Sequence, residues 1–196
     1  MTGGLEMLDR QITLALNGFG GAFTDAVMPW ISNKFVMVPL YILLLWYIWS
    51  RLGWKKTLII LLVAVLSVVV TDQTANLVKN SVQRFRPCWD DYMVQNGLKI
   101  LEKKGGRYGF FSAHAATCAG IATSVLYLFR KWGGGRKERL LAALLVVWVA
   151  VVSISRVYVG KHFVGDILVG AAAGIIIAEA ISRTVRWAIN KFLLNL

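Results

Sequence analysis

Residues 140–159 read LLAALLVVWVAVVSISRVYV, with a single charge, Arg156, near the far end. A helix crosses the roughly 30 Å hydrocarbon core of a bilayer in about 20 mostly apolar residues, at about 1.5 Å of rise each. This stretch meets that requirement, and four others meet or approach it. Residues 35–49 form a short one, bounded by Trp46, Tyr47 and Trp49 in the manner of a headgroup-level aromatic belt. A second starts near Thr57, stays apolar to Val70 and continues as helix to Lys79. The others run over residues 110–129 and 163–181. The last of these contains Asp166 and Glu179, which are costly in lipid unless each has a task.

The whole chain agrees with that reading. Its 196 residues are 57% hydrophobic and 16% charged, with a mean hydropathy of +0.61. Soluble domains run nearer 45–50% apolar and about 25% charged, so this composition excludes that class, and it excludes disorder too. Three prolines and two cysteines exclude a collagen-like or disulfide-framework fold. A net charge of +12 would suggest nucleic acid in a soluble protein; in a membrane protein it anchors loops at anionic lipid and sets topology, so no nucleic-acid partner is expected. The expectation is an all-α integral membrane helical bundle, one domain over residues 1–196, with about five transmembrane helices.

The N-terminal segment, residues 1–33, reads differently. Leu5, Leu8, Ile12, Ala15, Leu16 and Phe19 recur at helical spacing, with Glu6, Asp9, Arg10 and Gln11 between them. That pattern predicts an amphipathic helix lying on the membrane, then a glycine-rich turn and a second short interfacial piece. It lacks the basic start and long apolar stretch of a signal peptide, so no cleavage is expected. The longest polar stretch, residues 83–107, is predicted to be a surface or re-entrant loop. The short segment carrying Arg130, Lys131, Arg136, Lys137 and Arg139 is dense in positive charge and is assigned to the cytoplasm. The 83–107 loop then faces outward, towards the periplasm or exterior, from a cytoplasmic (inner) membrane.

Ionisable residues within or beside the spans are Asp72, Lys79, Arg86, His114, Arg156, Lys161, His162, Asp166 and Glu179. Counting crossings brings Lys79, Arg86, His114, Arg156, His162 and Asp166 to one membrane level from three separate parts of the chain. Their local spacings suit phosphate. Lys79 and Arg86 are two helical turns apart; His162 and Asp166 are one turn apart, so the carboxylate can hold one ring nitrogen and fix the tautomer. Ser112 and His114 open the 110–129 span, where free N–H groups and the helix dipole favour an anion. Arg156 offers a planar fork for phosphate oxygens. One imidazole is then available to attack, and the other to protonate what departs.

Those residues carry a family resemblance. Lys79-Asn80-Ser81-Val82-Gln83-Arg84-Phe85-Arg86-Pro87, Phe111-Ser112-Ala113-His114 and Ser155-Arg156 through His162 to Asp166 resemble K-x6-R-P, P-S-G-H and S-R-x5-H-x3-D. These are the three signatures of the type-2 phosphatidic-acid phosphatase superfamily. The order and internal spacing match; Phe111 stands for proline and Ala113 for glycine. The resemblance implies a bacterial-type membrane lipid phosphatase with His162 as nucleophile, Asp166 orienting it, and His114 as acid and then base. It also implies that Lys79, Arg86, Ser112, the Ala113 amide and Arg156 hold the phosphate, with no metal and no cofactor. The expected partners are membrane lipids and a lipid phosphate substrate, with undecaprenyl diphosphate first and phosphatidylglycerol phosphate, phosphatidic acid or lipid A 1-phosphate as alternatives.

Plainer readings stand for the remaining residues. Asp72 is read as structural, Glu179 as the i,i+4 partner of Arg183, and Gly170 with Gly174 as a close helix contact inside the monomer. Cys88 and Cys118 read as two unpaired buried thiols, with a disulfide as the alternative. The competing function is a phospholipid or polyprenyl-phosphate translocator, which would spread its polar groups through the membrane depth rather than gather them at one end.

Overall fold

The computed structural model describes residues 2–33, 35–133 and 138–192; Arg136 and Lys137 of the predicted cytoplasmic loop lie outside them. Its helices are α1 (Thr2–Gly18), α2 (Ala22–Ser32), α3 (Val38–Leu52), α4 (Trp54–Val82), α5 (Asp91–Gln95), α6 (Ala113–Lys131), α7 (Glu138–Tyr158) and α8 (Val164–Phe192), with a 3-10 turn at Pro87–Trp89. The molecule is an integral membrane helical bundle. By length and composition α4, α7 and α8 can each cross a bilayer, and α3 is a shorter apolar helix.

Local chemistry sets where the helices start and stop. Gly53 has φ +78°, a left-handed conformation that lets α3 turn directly into α4. Ser112 caps α6, its hydroxyl accepting the Ala115 N–H at 3.4 Å, so this helix begins at Ala113 and not at Phe110. The final helix runs well past Ile181, to Phe192. Its last turns carry Arg183, Arg186 and Lys191, and Arg183 pairs with Glu179 at 2.5 Å, as the i,i+4 spacing predicts.

The central helix is α6, packed by α4, α7 and α8. Ala115, Ala116, Ala119, Gly120, Ala122 and Ser124 are all buried on it. In lipid, helices gain little from hiding apolar surface from one another, so close van der Waals contact between small residues drives their association. Gly170 and Gly174 of α8 supply that contact. A Cβ on Gly170 would lie 2.6 Å from the Ser112 carbonyl, and one on Gly174 would meet the Ala116 backbone. Ser67 of α4 and Ser124 of α6 add a hydrogen bond at 3.0 Å, of a kind worth about 0.6 kcal/mol on average.

Helix polarity divides the bundle into two ends. The ends of α4 and α7 and the starts of α6 and α8 share one end, roofed by residues 83–112 and by α1. Leu14 of α1 packs with Cys88, Met93, Leu98 and Phe163 there. The orientation of α1 is informative. Leu5, Leu8 and Phe19 are exposed, while Thr13 and Asn17 are buried. Its polar stripe therefore faces protein, and its apolar stripe faces outward. Both cysteines are free and buried.

Candidate active site

The turn between α7 and α8 carries His162, 2% exposed, and the first turn of α8 carries Asp166, fully buried. His162 Nδ1 lies 3.5 Å from Asp166 Oδ2, close enough for electrostatic contact and long for a hydrogen bond. The same carboxylate oxygen accepts the Phe163 N–H at 3.0 Å. With Nδ1 turned to the carboxylate, Nε2 is the nitrogen left for chemistry. Burial pushes the His162 ring down to about 4, with Arg86 and Arg156 adding to the effect and Asp166 opposing it. The imidazole is therefore neutral at physiological pH, with a lone pair to offer.

Gly109 marks where three predicted residues converge. A Cβ built on it would lie 2.9 Å from Arg86 Cγ, 3.2 Å from Asp166 Oδ2 and 3.5 Å from His162 Nδ1. Arg86 is fixed by its backbone N–H to the Arg107 carbonyl at 2.8 Å and by its Nε to the Tyr108 carbonyl at 3.1 Å. Gly109 N–H returns to the Arg84 carbonyl at 2.9 Å, clamping the two strands of the loop together. Lys79, in the last turn of α4, is within electrostatic reach of Arg86, Asp72 and Asp166.

Arg156 enters from the end of α7 and is 6% exposed. Its Nη1 donates to the Ser32 carbonyl at 3.3 Å and to the Ser32 hydroxyl, and lies 3.5 Å from Glu102 Oε2. Its Nε has no hydrogen-bond partner among the described residues. Lys161 shares Glu102 at 4.0 Å and donates to the Lys103 carbonyl. Burial lowers Arg86 and Lys161 from their ordinary values, with Asp166 and Glu102 among the groups opposing it. Buried cations of this kind gain stabilisation when an anion enters.

Ser112, also fully buried, binds to the other motif through its main chain: its N–H donates to the Asp166 carbonyl at 3.0 Å. Ala113 and His114 follow in the first turn of α6 and line a side cavity of about 700 Å³. That cavity runs between α3, α4 and α6 past Met37, Tyr41, Val68 and Val69, with Asp72 and Gln73 as its polar wall. Asp72 accepts from Asn76 at 3.2 Å, so its structural reading now has a partner, although it also borders the route to His114.

Residues 57–190 match the model of the PAP2 superfamily. This chain belongs to that superfamily. As a PAP2 protein it has two curated relatives that are lipid A 4'-phosphatases. The one from Bacteroides thetaiotaomicron is 31% identical over 172 residues, covering 87% of this chain and 73% of the relative. The one from Porphyromonas gingivalis is 28% identical over 193 residues, covering 95% and 76%. Two crystal structures share the PAP2 fold. The PAP2-type phosphatidylglycerolphosphate phosphatase of Bacillus subtilis superposes with a TM-score of 0.72 at 21% identity, covering 96% of this chain and 89% of that one. LpxE of Aquifex aeolicus does so with 0.61 at 20%, covering 88% and 93%. The chain is a lipid phosphatase of the PAP2 family.

Several groups around this PAP2 site have no role assigned by the three motifs. Arg84 bonds Asp166 directly, Glu102 faces Arg156, and Gly109 leaves the space in which Arg86, Asp166 and His162 meet. Arg84 stood within the first signature as an unassigned position. Glu102 lies in the 83–107 loop and Gly109 just after it, where no periodicity reveals the path of the chain.

Proposed function

We propose that this chain is a metal-independent lipid phosphatase acting through a phosphohistidine. The observation that carries the reading is the buried His162, its Nδ1 3.5 Å from Asp166 and its ring converging with Arg86 at Gly109. The Nε2 lone pair attacks phosphorus and forms an N–P bond as the bond to the lipid oxygen breaks. His114 gives that oxygen its proton. Water then attacks the phosphohistidine, passing a proton to His114, and the N–P bond breaks to release phosphate. Lys79, Arg86, Arg156, the Ser112 hydroxyl and the Ala113 amide stabilise the equatorial oxygens of each in-line transition state, the work a metal does elsewhere.

The substrate we favour is a phosphate monoester of a lipid A-type glycolipid. The two lipid A 4'-phosphatases cover nearly the whole chain at 28–31% identity, which supports this choice over the phosphatidic-acid and phosphatidylglycerol-phosphate alternatives. The apolar side cavity suits an acyl chain arriving from the bilayer, and its Asp72–Gln73 wall suits a hydroxylated headgroup. Undecaprenyl diphosphate is the second reading. Lys161, buried beside Arg156, supplies one more cation than a monoester requires. The site end of the bundle faces the periplasm in this proposal, with the exposed apolar stripe of α1 in the outer leaflet interface.

The experiment is phosphate release by purified protein in detergent with EDTA, wild type beside His162→Ala, across lipid A, undecaprenyl diphosphate, phosphatidylglycerol phosphate and phosphatidic acid. Release that depends on His162 and is fastest from lipid A is the expected result. Equal release by the variant overturns the nucleophile, and faster release from undecaprenyl diphosphate overturns the substrate. Inhibition by EDTA that a divalent ion reverses overturns metal independence.

A further inference from the structure

Arg84 is placed unlike the other cations at this end of the molecule. Both its terminal nitrogens are taken by carboxylates: Nη1 lies 2.9 Å from Asp166 Oδ1 and Nη2 lies 2.7 Å from Asp9 Oδ2. Its guanidinium carbon sits 4.1 Å from the centroid of the Phe163 ring, the residue after His162. Asp166 is thereby held on both oxygens, Oδ1 by Arg84 and Oδ2 by the Phe163 N–H, with His162 beyond. A carboxylate bound only on Oδ2 could rotate about its Cβ–Cγ bond and withdraw from the imidazole. The bond to Oδ1 prevents that rotation.

The other end of the clamp belongs to α1. Asp9, Thr13 and Asn17 are spaced by four, so they lie on one stripe of the helix. Asp9 Oδ1 accepts the Gly165 N–H at 2.9 Å and Thr13 accepts the Val164 N–H at 3.1 Å, capping the start of α8. Asn17 donates to the Tyr158 carbonyl at 2.7 Å, capping the end of α7. Three side chains of α1 thus grip both sides of the turn that presents His162. None of them lies within residues 57–190, the part of the chain that the family model matches.

We propose that Asp9 and Arg84 form a positioning pair for catalysis, in which Asp9 orients Arg84 and Arg84 locks the Asp166 carboxylate against His162. The N-terminal helix is then a working part of the active site. The proposal rests on His162 being the nucleophile. Arg84 does not contact phosphate in this scheme, so its loss acts on turnover and not on binding.

The test uses the full chain in detergent micelles with lipid A as the probe, comparing Arg84→Gln, Arg84→Lys, Asp9→Asn and the Arg84→Gln/Asp9→Asn double variant. A misplacement of about 1 Å can cost roughly 100-fold in rate. Arg84→Gln is expected to lower kcat by about that factor with KM within roughly twofold of wild type. Arg84→Lys, whose single ammonium lacks the planar fork that places one nitrogen on each carboxylate, is expected to lose about tenfold, as is Asp9→Asn, which keeps an oxygen for Gly165. The double variant should be no slower than Arg84→Gln, because Asp9 acts through Arg84. An unchanged kcat in folded, monodisperse Arg84→Gln, a rise confined to KM, or multiplicative losses in the double variant would each overturn the pair. If Arg84→Gln does not fold, Arg84→Lys and Asp9→Asn report the same split between kcat and KM. Release that persists in His162→Ala instead overturns the nucleophile itself, whereas His162-dependent release that ignores Arg84 and Asp9 overturns only the clamp.

Discussion

Ser112 and Asp166 are joined through their main chains, the Ser112 N–H donating to the Asp166 carbonyl at 3.0 Å. This one bond ties the start of α6 to the first turn of α8, and Gly170 permits it by letting the Ser112 carbonyl approach within 2.6 Å of where a Cβ would stand. Ser112, proposed to help hold phosphate, and Asp166, proposed to orient the nucleophile, are therefore registered directly through backbone. Backbone registration of this kind keeps a site within the few tenths of an ångström that catalysis requires.

Gly109→Ala should be nearly as damaging as a substitution in the motifs. Its Cβ would meet Arg86 Cγ at 2.9 Å and crowd Asp166 Oδ2 at 3.2 Å, so the Arg86 side chain must shift and the carboxylate beside His162 is pressed. Turnover is expected to fall by about 10- to 100-fold, with the melting temperature lowered by only a few degrees. Steady-state kinetics beside thermal unfolding checks this, and full activity in the variant would refute the convergence described at Gly109.

His114→Ala should depend on the leaving group. General acid catalysis contributes about 10²- to 10⁴-fold, most of it when the departing oxygen is basic. A lipid alkyl phosphate should lose that much, while an aryl phosphate with an acidic phenol loses little in the first step and accumulates phosphoenzyme. Rapid-quench trapping of labelled protein measures it. Equal losses for both substrates would count against the acid role.

Glu102→Gln should strengthen inhibition by inorganic phosphate or vanadate. Glu102 sits 3.5 Å from Arg156 and 4.0 Å from Lys161, so an incoming anion meets its negative charge. Removing that charge is expected to lower the inhibition constant by about three- to tenfold, at an effective dielectric suited to a partly exposed pair. An unchanged constant would show that the loop carboxylate moves clear before phosphate arrives.

The pH dependence of stability follows from His162. Its folded-state value, about 4, lies below the ordinary value of 6.5. Between those values the unfolded chain binds a proton that the folded chain does not, so stability falls as pH drops through this window. Wild type should lose more melting temperature from pH 7 to pH 4 than His162→Gln, which has nothing to titrate there. Identical slopes would mean that the folded ring titrates where the unfolded one does.

Much of this architecture could be read along the chain because the chemistry is local. The α4, α7 and α8 spans announce themselves by composition, and His162 with Asp166, or Ser112 with His114, lie within one helical turn. What escaped had its partners far away. Asp9 meets Gly165 across 156 positions, and in sequence its stripe is indistinguishable from the water-facing side of a surface helix. Arg84 looks like any loop cation until Asp9 and Asp166 flank it. The end of α8 escaped for a different reason: hydropathy fades after Ile181, while the Glu179–Arg183 pair and a run without glycine or proline let the helix continue to Phe192.

The grip of α1 on the turn between α7 and α8 also fixes when the enzyme can come into being. Asp9, Thr13 and Asn17 emerge before any span, yet the amides and carbonyl they hold belong to residues 158–165. During synthesis α1 must wait at the bilayer while every other helix is threaded, since such distant contacts cannot form early. The turn that carries His162 is therefore among the later joints to close. A chain released after six helices carries Lys79, Arg86 and Ser112 but neither Arg156 nor His162, so the site as proposed stays incomplete until the start of α8 has emerged.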